Sequence, residues 1–290
     1  MRIAIIGGAG KMGRWFANFL LKDGKEVVIS GRNEKRLLEA KQQLGGVEVA
    51  TNVEAVKSAD VVLISVPIDN FGEVIEEICP YISHKQTIID ITSIKVFPVE
   101  MMHKHIKTGL VLGTHPMFGP KARSMRNQNF VLTPTNDNER ALAQKVREYL
   151  ETKGARVTLM TPGEHDEMMA IVLGLSHFIG IVSADTLLSF NKLEQTRKVA
   201  GTTYKVLLTL VEGVISADPK FYATLQMYLP NMAEIEQLFQ KSSKTWADLV
   251  KNKDSQEFIQ RMNALRNRLE KTNPNLGKAY ENMYKLVEEL

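Results

Sequence analysis

The chain holds a single cysteine, Cys79, which excludes an intramolecular disulfide framework and fits a reducing compartment. With no partner available, Cys79 is expected to act as a small buried hydrophobe beside Pro80. Charge of one sign is also scarce, since 37 basic and 33 acidic residues leave a net charge of only +4. That surplus is too small to imply nucleic acid, though it would help attract an anionic small molecule. No C-x-x-C or H-E-x-x-H spacing is present, so no metal is expected. Repeats and low-complexity tracts are absent, and no added regulatory domain is expected. Long hydrophobic runs are few. Ile3 to Ile6 has the length of a strand and leads into glycines, so it is not read as a signal peptide. Met168 to Phe190 is long enough to raise the question of a membrane span. It contains His177 and Asp185, however, and follows Glu164, His165, Asp166 and Glu167. Ionisable groups are costly in lipid. A helix buried between domains or subunits, no membrane, and a cytoplasmic location are expected.

What is present is core material: 44% of the 290 residues are hydrophobic, enough for two domains. Short apolar strands are expected at Arg2–Ile6, Glu26–Ser30, Val47–Ala50, Val61–Val66, Thr87–Ile91, Leu110–Gly113, Phe130–Thr133 and Arg156–Met160, alternating with helical stretches. Met12, Phe16, Phe19 and Leu20 mark one face of the first helix. Strand–helix alternation with nearly continuous apolar strands predicts an α/β fold, a doubly wound, mostly parallel sheet covered on both faces. After Thr161-Pro162-Gly163 only helical periodicity remains, punctuated by Pro219, Pro230 and Asn273-Pro274-Asn275. The boundary is therefore expected near residue 160, between a sheet domain, 1–160, and an all-helical domain, 161–290.

Gly8-Ala9-Gly10-Lys11-Met12-Gly13 is G-x-G-x-x-G placed between a strand and a helix. Gly8 allows the turn, Gly10 lets backbone approach a pyrophosphate, and Gly13 lets helix pack on strand, as in a Rossmann-type domain. The helix N-terminus, with Lys11 and Met12, offers free N–H groups to the phosphates. Val66 and Pro67, after the fourth strand, are further candidate cofactor contacts. At the end of the second strand, Ile29-Ser30-Gly31-Arg32-Asn33 lacks the acid that would hold an NAD ribose. Ser30 and Arg32 suit a 2′-phosphate instead, so NADP is expected in preference to NAD.

Two stretches carry candidate chemistry. In Gly113-Thr114-His115-Pro116-Met117-Phe118-Gly119-Pro120, a histidine follows a strand at the sheet edge where ligands bind, and it can serve as a base near neutral pH. Glu164-His165-Asp166-Glu167-Met168-Met169 leads to Ser176-His177-Phe178. His165 and His177 are twelve residues apart, about 120° around a helix, and need not share a face.

These stretches, with Thr92-Ser93-Ile94-Lys95 and Asp218-Pro219, resemble the prephenate dehydrogenase family along nearly the whole chain. The resemblance implies His115 as the catalytic histidine, with Ser93 beside it. It implies Lys95 and His177 as substrate contacts and a dianionic cyclohexadienyl substrate. The implied reaction is oxidative decarboxylation of prephenate to 4-hydroxyphenylpyruvate in tyrosine biosynthesis, in a homodimer joined through the helical half. The family pattern carries an arginine five residues before Asp-Pro, where this chain has Gly213. Lys121 or Arg123 is expected to supply the missing charge, ahead of Lys205 and Arg197. The alternatives are a dehydrogenase for arogenate or another amino analogue, and another two-domain NADP-dependent dehydrogenase or reductase. A non-catalytic NADP-binding sensor is the alternative outside enzymes.

Overall fold

The computed structural model describes residues 1–288. Contacts divide the chain into two compact units, Met1–Met169 and Ala170–Leu290.

The first unit is built on eight strands: β1 (Arg2–Ile6), β2 (Glu26–Ser30), β3 (Val47–Val49), β4 (Val61–Ile64), β5 (Thr87–Asp90), β6 (Leu110–Pro116), β7 (Asn129–Thr133) and β8 (Arg156–Leu159). Its helices are α1 (Lys11–Lys22), α2 (Glu34–Leu44), α3 (Asn52–Ser58), α4 (Phe71–Ile78), α5 (Val96–His105), α6 (Asp137–Thr152) and α7 (Pro162–Met169). The strands form one sheet in the order β3-β2-β1-β4-β5-β6-β7-β8. All neighbours are parallel except β6 and β7. Chain order reverses between β1 and β4, which sets the ligand crevice of an open α/β sheet at the carboxyl ends of those strands.

The apolar runs explain the core. Ile3, Ile5, Val27, Ile29 and Leu63 are buried against Phe16, Ala17 and Leu20 of α1. Each such side chain contributes about 1.5–3 kcal/mol relative to exposure. Met12 and Phe19 of the expected helix face are only partly buried beside them. The eight expected strands are all present, with two boundary changes that matter. β4 stops at Ile64, and β6 runs on to Pro116 because antiparallel pairing with β7 sets His115 opposite Val131. His115 therefore lies inside a strand rather than in the loop after it. The first unit also extends nine residues past the change of sequence pattern, since α7 packs on α5 and β7. Cys79 is half-buried, not buried, and its thiol donates to the Glu76 carbonyl at 3.5 Å.

The second unit opens with a π-helical turn, Ala170–Leu175, followed by α8 (Ser176–Ser189), α9 (Leu193–Lys198), α10 (Thr202–Ile215), α11 (Pro219–Tyr228), α12 (Met232–Lys251), α13 (Ser255–Thr272) and α14 (Ala279–Glu288). Gln226 Nε2 donates to the Gly174 carbonyl at 2.9 Å, satisfying a group in the widened turn. Leu208, Val211, Val214, Leu225 and Met232 form the unit's core. The helical span Pro162–Ser189 is long and apolar enough by composition to cross a membrane. Only 17% of its most apolar window is buried within the single chain. Val172, Val182, Leu188 and Phe190 are exposed, so the burial expected for this helix is not supplied by its own chain.

Candidate active site

The glycine turn stands at the carboxyl end of β1. Gly7, which the motif reading left out, takes φ +82°, and a Cβ there would lie 2.3 Å from the Ser65 carbonyl oxygen. A Cβ on Gly13 would lie 2.5 Å from the Gly7 oxygen, so α1 can start against the turn only without a side chain there. Gly8 packs equally closely on Ile29, and Gly10 is the N-cap of α1 with no side-chain cap. The first N–H groups of α1 thus lack the usual internal acceptor, an arrangement suited to a pyrophosphate. The cradle therefore fits a dinucleotide. Lys11 is exposed, Met12 and Val66 are half-buried, and Pro67 is exposed.

Ser30 departs from expectation. It is fully buried, its hydroxyl donates to Asn52 Oδ1 at 2.8 Å, and its carbonyl accepts from the Gly7 and Gly8 N–H groups at 2.9 and 3.0 Å. Its donor proton is directed inward, so Ser30 holds the turn and does not meet a 2′-phosphate. Arg32 is exposed, with one guanidinium nitrogen donating to Asn70 Oδ1 at 2.6 Å and another 4.0 Å from Glu73.

Three strands along the same sheet edge, about 14 Å at the usual strand spacing, stands His115. Its ring is almost entirely buried, with 5% exposure. His115 Nδ1 lies 2.9 Å from His165 Nε2, and His165 Nδ1 lies 2.7 Å from Asp166 Oδ1. Asp166 in turn accepts from the backbone N–H groups of Lys95 at 2.7 Å and Val96 at 2.9 Å. A carboxylate offers only acceptors, so His165 Nδ1 is the donor to Asp166 and His165 Nε2 the acceptor. His115 then donates from Nδ1 and keeps a lone pair on Nε2. Among the described residues that Nε2 has no hydrogen-bond partner, and it is not one of their sealed, unpartnered polar atoms, which are Arg2 Nε, His105 Nε2, His177 Nδ1 and Gln226 Oε1. Burial, with repulsion from His165 and Lys95, holds the His115 imidazole well below its usual 6.5. Burial also lowers His165, against the opposing bond to Asp166.

Lys95 departs from the expectation of a substrate contact. It is neither a solvated lysine nor free to bind substrate, since its side chain has no exposed surface. The ammonium pairs with Asp90 and donates to the Thr114 carbonyl at 2.7 Å and to Thr92 Oγ1 at 3.3 Å. Gly113 lies beside it, where a Cβ would come within 2.5 Å of Thr133 Oγ1 and 2.6 Å of Val99 Cγ2. Desolvation raises Asp90 and lowers Lys95, each opposed by the partner's charge. The pair fixes the β5–α5 connection, which carries half-buried Ser93, and the adjoining N–H groups that receive Asp166.

The loop after His115 is tied to α1. Trp15 Nε1 donates to the Ala122 carbonyl at 2.7 Å, and the Trp15 ring lies 4.8 Å from that of Phe118. Lys121 and Arg123, on either side of Ala122, are exposed and make no ion pair among the described residues. Within the helical unit, half-buried His177 packs edge-on against Tyr222 at 4.6 Å, with Nδ1 unpartnered and its imidazole lowered by burial. Of the weaker cation candidates, Arg197 is paired with Glu212 and Lys205 is exposed. Among the described residues no cluster of side chains is suited to a metal.

A glycine turn on the first strand of a β3-β2-β1-β4 sheet, a histidine at the same edge and a helical second unit define a two-domain dinucleotide-binding protein. Residues 16–159 match the family model "Prephenate dehydrogenase, nucleotide-binding domain", and residues 161–264 match "Prephenate dehydrogenase, dimerization domain". The chain belongs to the prephenate dehydrogenase family. It is 36% identical over 265 residues to a probable arogenate/prephenate dehydrogenase of Methanocaldococcus jannaschii, covering 90% of this chain and 59% of that one. It is 30% identical over 270 residues to the T-protein of Haemophilus influenzae, covering 91% and 66%. The chain thus spans 59% and 66% of the length of these two relatives. The crystal structure of prephenate dehydrogenase from A. aeolicus in complex with hydroxyphenyl propionate and NAD+ matches with a TM-score of 0.77 at 22% identity, covering 94% and 98%. At that identity the likeness is one of fold.

Proposed function

We propose that this chain is an NAD(P)-dependent dehydrogenase that oxidises prephenate to 4-hydroxyphenylpyruvate and carbon dioxide, in the cytoplasm, as a homodimer. The observation that carries the reading is the free Nε2 of His115, held neutral at the carboxyl edge of the sheet that bears the pyrophosphate turn. A bound nicotinamide supplies the hydride acceptor. His115 Nε2 takes the ring hydroxyl proton as the carbinol carbon gives up hydride. The resulting ketone makes the ring carboxylate a vinylogous β-keto acid. Its carbon–carbon bond breaks, carbon dioxide leaves, and the electron pair passes through the ring to the oxygen, which recovers the proton from His115. No net proton is released, and the aromatic ring formed drives the step.

Ser93, half-buried on the connection between Asp90 and Lys95, is assigned to orient the substrate hydroxyl. The substrate carboxylates need cations, since desolvating them unpaired is expensive. Unpaired Lys121 and Arg123 on the loop beyond His115 fill that role in this reading. A second reading, arogenate or another amino analogue, is favoured by one observation: Gly213 stands where the resemblance implies an arginine. Arg32, the exposed cation at the end of β2, supports NADP over NAD. The exposed apolar surface of Pro162–Ser189, in a region matching a dimerization domain, supports burial between two copies in preference to a membrane.

The test is an assay at the reduced-nicotinamide absorbance band, with prephenate and arogenate each crossed against NAD and NADP. Turnover is expected to be highest with prephenate and NADP. Arg32→Ala should raise KM for NADP and leave KM for NAD unchanged. Lys121→Ala or Arg123→Ala should raise KM for prephenate several-fold. Turnover of neither substrate with either cofactor would refute the assignment.

A further inference from the structure

We propose that His165 and Asp166 are positioning residues for the base His115, forming with the start of α5 a fixed chain that sets its tautomer and orientation. The inference rests on the reading that His115 is the base. Three segments far apart in sequence meet in one line of hydrogen bonds. The Lys95 and Val96 N–H groups hold the Asp166 carboxylate, Asp166 accepts from His165 Nδ1, and His165 Nε2 accepts from His115 Nδ1. In this line only His115 is assigned a contact with substrate; His165 and Asp166 act through it. Every member is buried except exposed Val96, which contributes only its N–H, and each link has ordinary hydrogen-bond length. An isolated imidazole exchanges its proton between two nitrogens and rotates about two side-chain bonds. Here the anchored acceptor removes both freedoms, because only the Nδ1–H form in one orientation satisfies His165.

The chain also acts on the charged state. When Nε2 takes the substrate proton, an imidazolium forms in a site that burial makes hostile to charge. The groups facing it from the packed elements are Asp90 at the end of β5, Lys95 at the start of α5, and His165 and Asp166 on α7. Lys95 is spent on Asp90, so the anion aligned with the new charge is Asp166, one imidazole away. Its two backbone donors lie at the N-terminus of α5, where a negative charge is favoured. The proton need not move along the chain, since orientation and charge stabilisation suffice.

The test compares His165→Leu with His165→Gln in the full chain. Leucine keeps bulk and removes the acceptor, whereas glutamine places an amide oxygen near the position of Nε2. For His165→Leu, kcat is expected to fall about 10²-fold, with KM for prephenate within about threefold and affinity for NADP unchanged. Glutamine should recover at least about tenfold of that loss. Equal kcat in the two variants, or a loss seen in KM instead, would overturn the proposal. Should the leucine variant fail to fold, Asp166→Asn decides. Removing the anion makes the His115 imidazolium less favourable, so the acid limb of kcat/KM should move to lower pH while the plateau drops. An unmoved limb overturns the proposal. His115→Asn is the control: if it remains active, the assignment of the base has failed, a result distinct from failure of the positioning chain.

Discussion

Replacing Lys95 with Met removes an ammonium that has no exposed surface and leaves the Asp90 carboxylate equally buried, with Thr92 as its remaining partner through its N–H at 2.7 Å and its side chain. The pair itself is not a large source of net stability, because desolvating both charges offsets most of their attraction. Breaking it from one side is different, since an uncompensated buried charge costs about 3–5 kcal/mol. At about 2–4 °C per kcal/mol for a unit of this size, Tm should fall by about 6–20 °C. The double variant Asp90→Asn/Lys95→Met removes the orphaned charge while keeping an acceptor for Thr92, and should regain at least half of the loss. Thermal unfolding by circular dichroism measures both, and KM for prephenate is read on the same preparations. A loss below about 1 kcal/mol in the single variant, or the same loss in both, would refute the charge argument. A large rise in KM with stability intact would return Lys95 to the substrate site.

The depressed imidazoles give a pH dependence of stability. His115, His165 and His177 all have folded values below 6.5, so their neutral forms favour folding. That contribution is fully present above the unfolded value near 6.5 and declines as pH falls from there toward the folded values. Tm is expected to fall between pH 7 and pH 5, and a Tm that rises over that interval would contradict the burial of these rings. Gly13→Ala sets a methyl 2.5 Å from the Gly7 oxygen and 2.7 Å from Gly8 Cα, forcing α1 off the turn. NADP affinity, followed by fluorescence titration, should fall at least about tenfold, or about 1.4 kcal/mol. Gly213→Ala, in the last turn of α10 with open space around the added Cβ, should raise stability by roughly 0.5 kcal/mol in urea unfolding.

The sheet was legible because its strands are short apolar runs bounded by glycines, prolines and amphipathic helices, and each expected strand is found within a few residues. Strand ends were less legible where pairing is non-local. β6 extends through His115 because β7, a distant segment, continues the ladder antiparallel. The hydrogen-bond partners of the candidate residues were not legible along the chain. A lysine in sequence reads as a solvent or ligand group. Only Asp90 and the Thr114 carbonyl, which take its ammonium, make Lys95 structural, and neither relation is visible along the chain. Ser30 has the right chemistry for a phosphate, but Asn52 claims its hydroxyl. Asp166 follows His165 in plain view, yet its other partners are backbone N–H groups about 70 residues away, which no side-chain pattern records.

The most direct measurement on the central claim is steady-state turnover of His115→Asn with prephenate and NADP, alongside cofactor binding by the same variant. The account predicts a fall in kcat of about 10²–10⁴-fold, with NADP affinity and Tm close to those of the parent chain. A variant that retains turnover within a few-fold would contradict the assignment of Nε2 as the group that receives the substrate's proton.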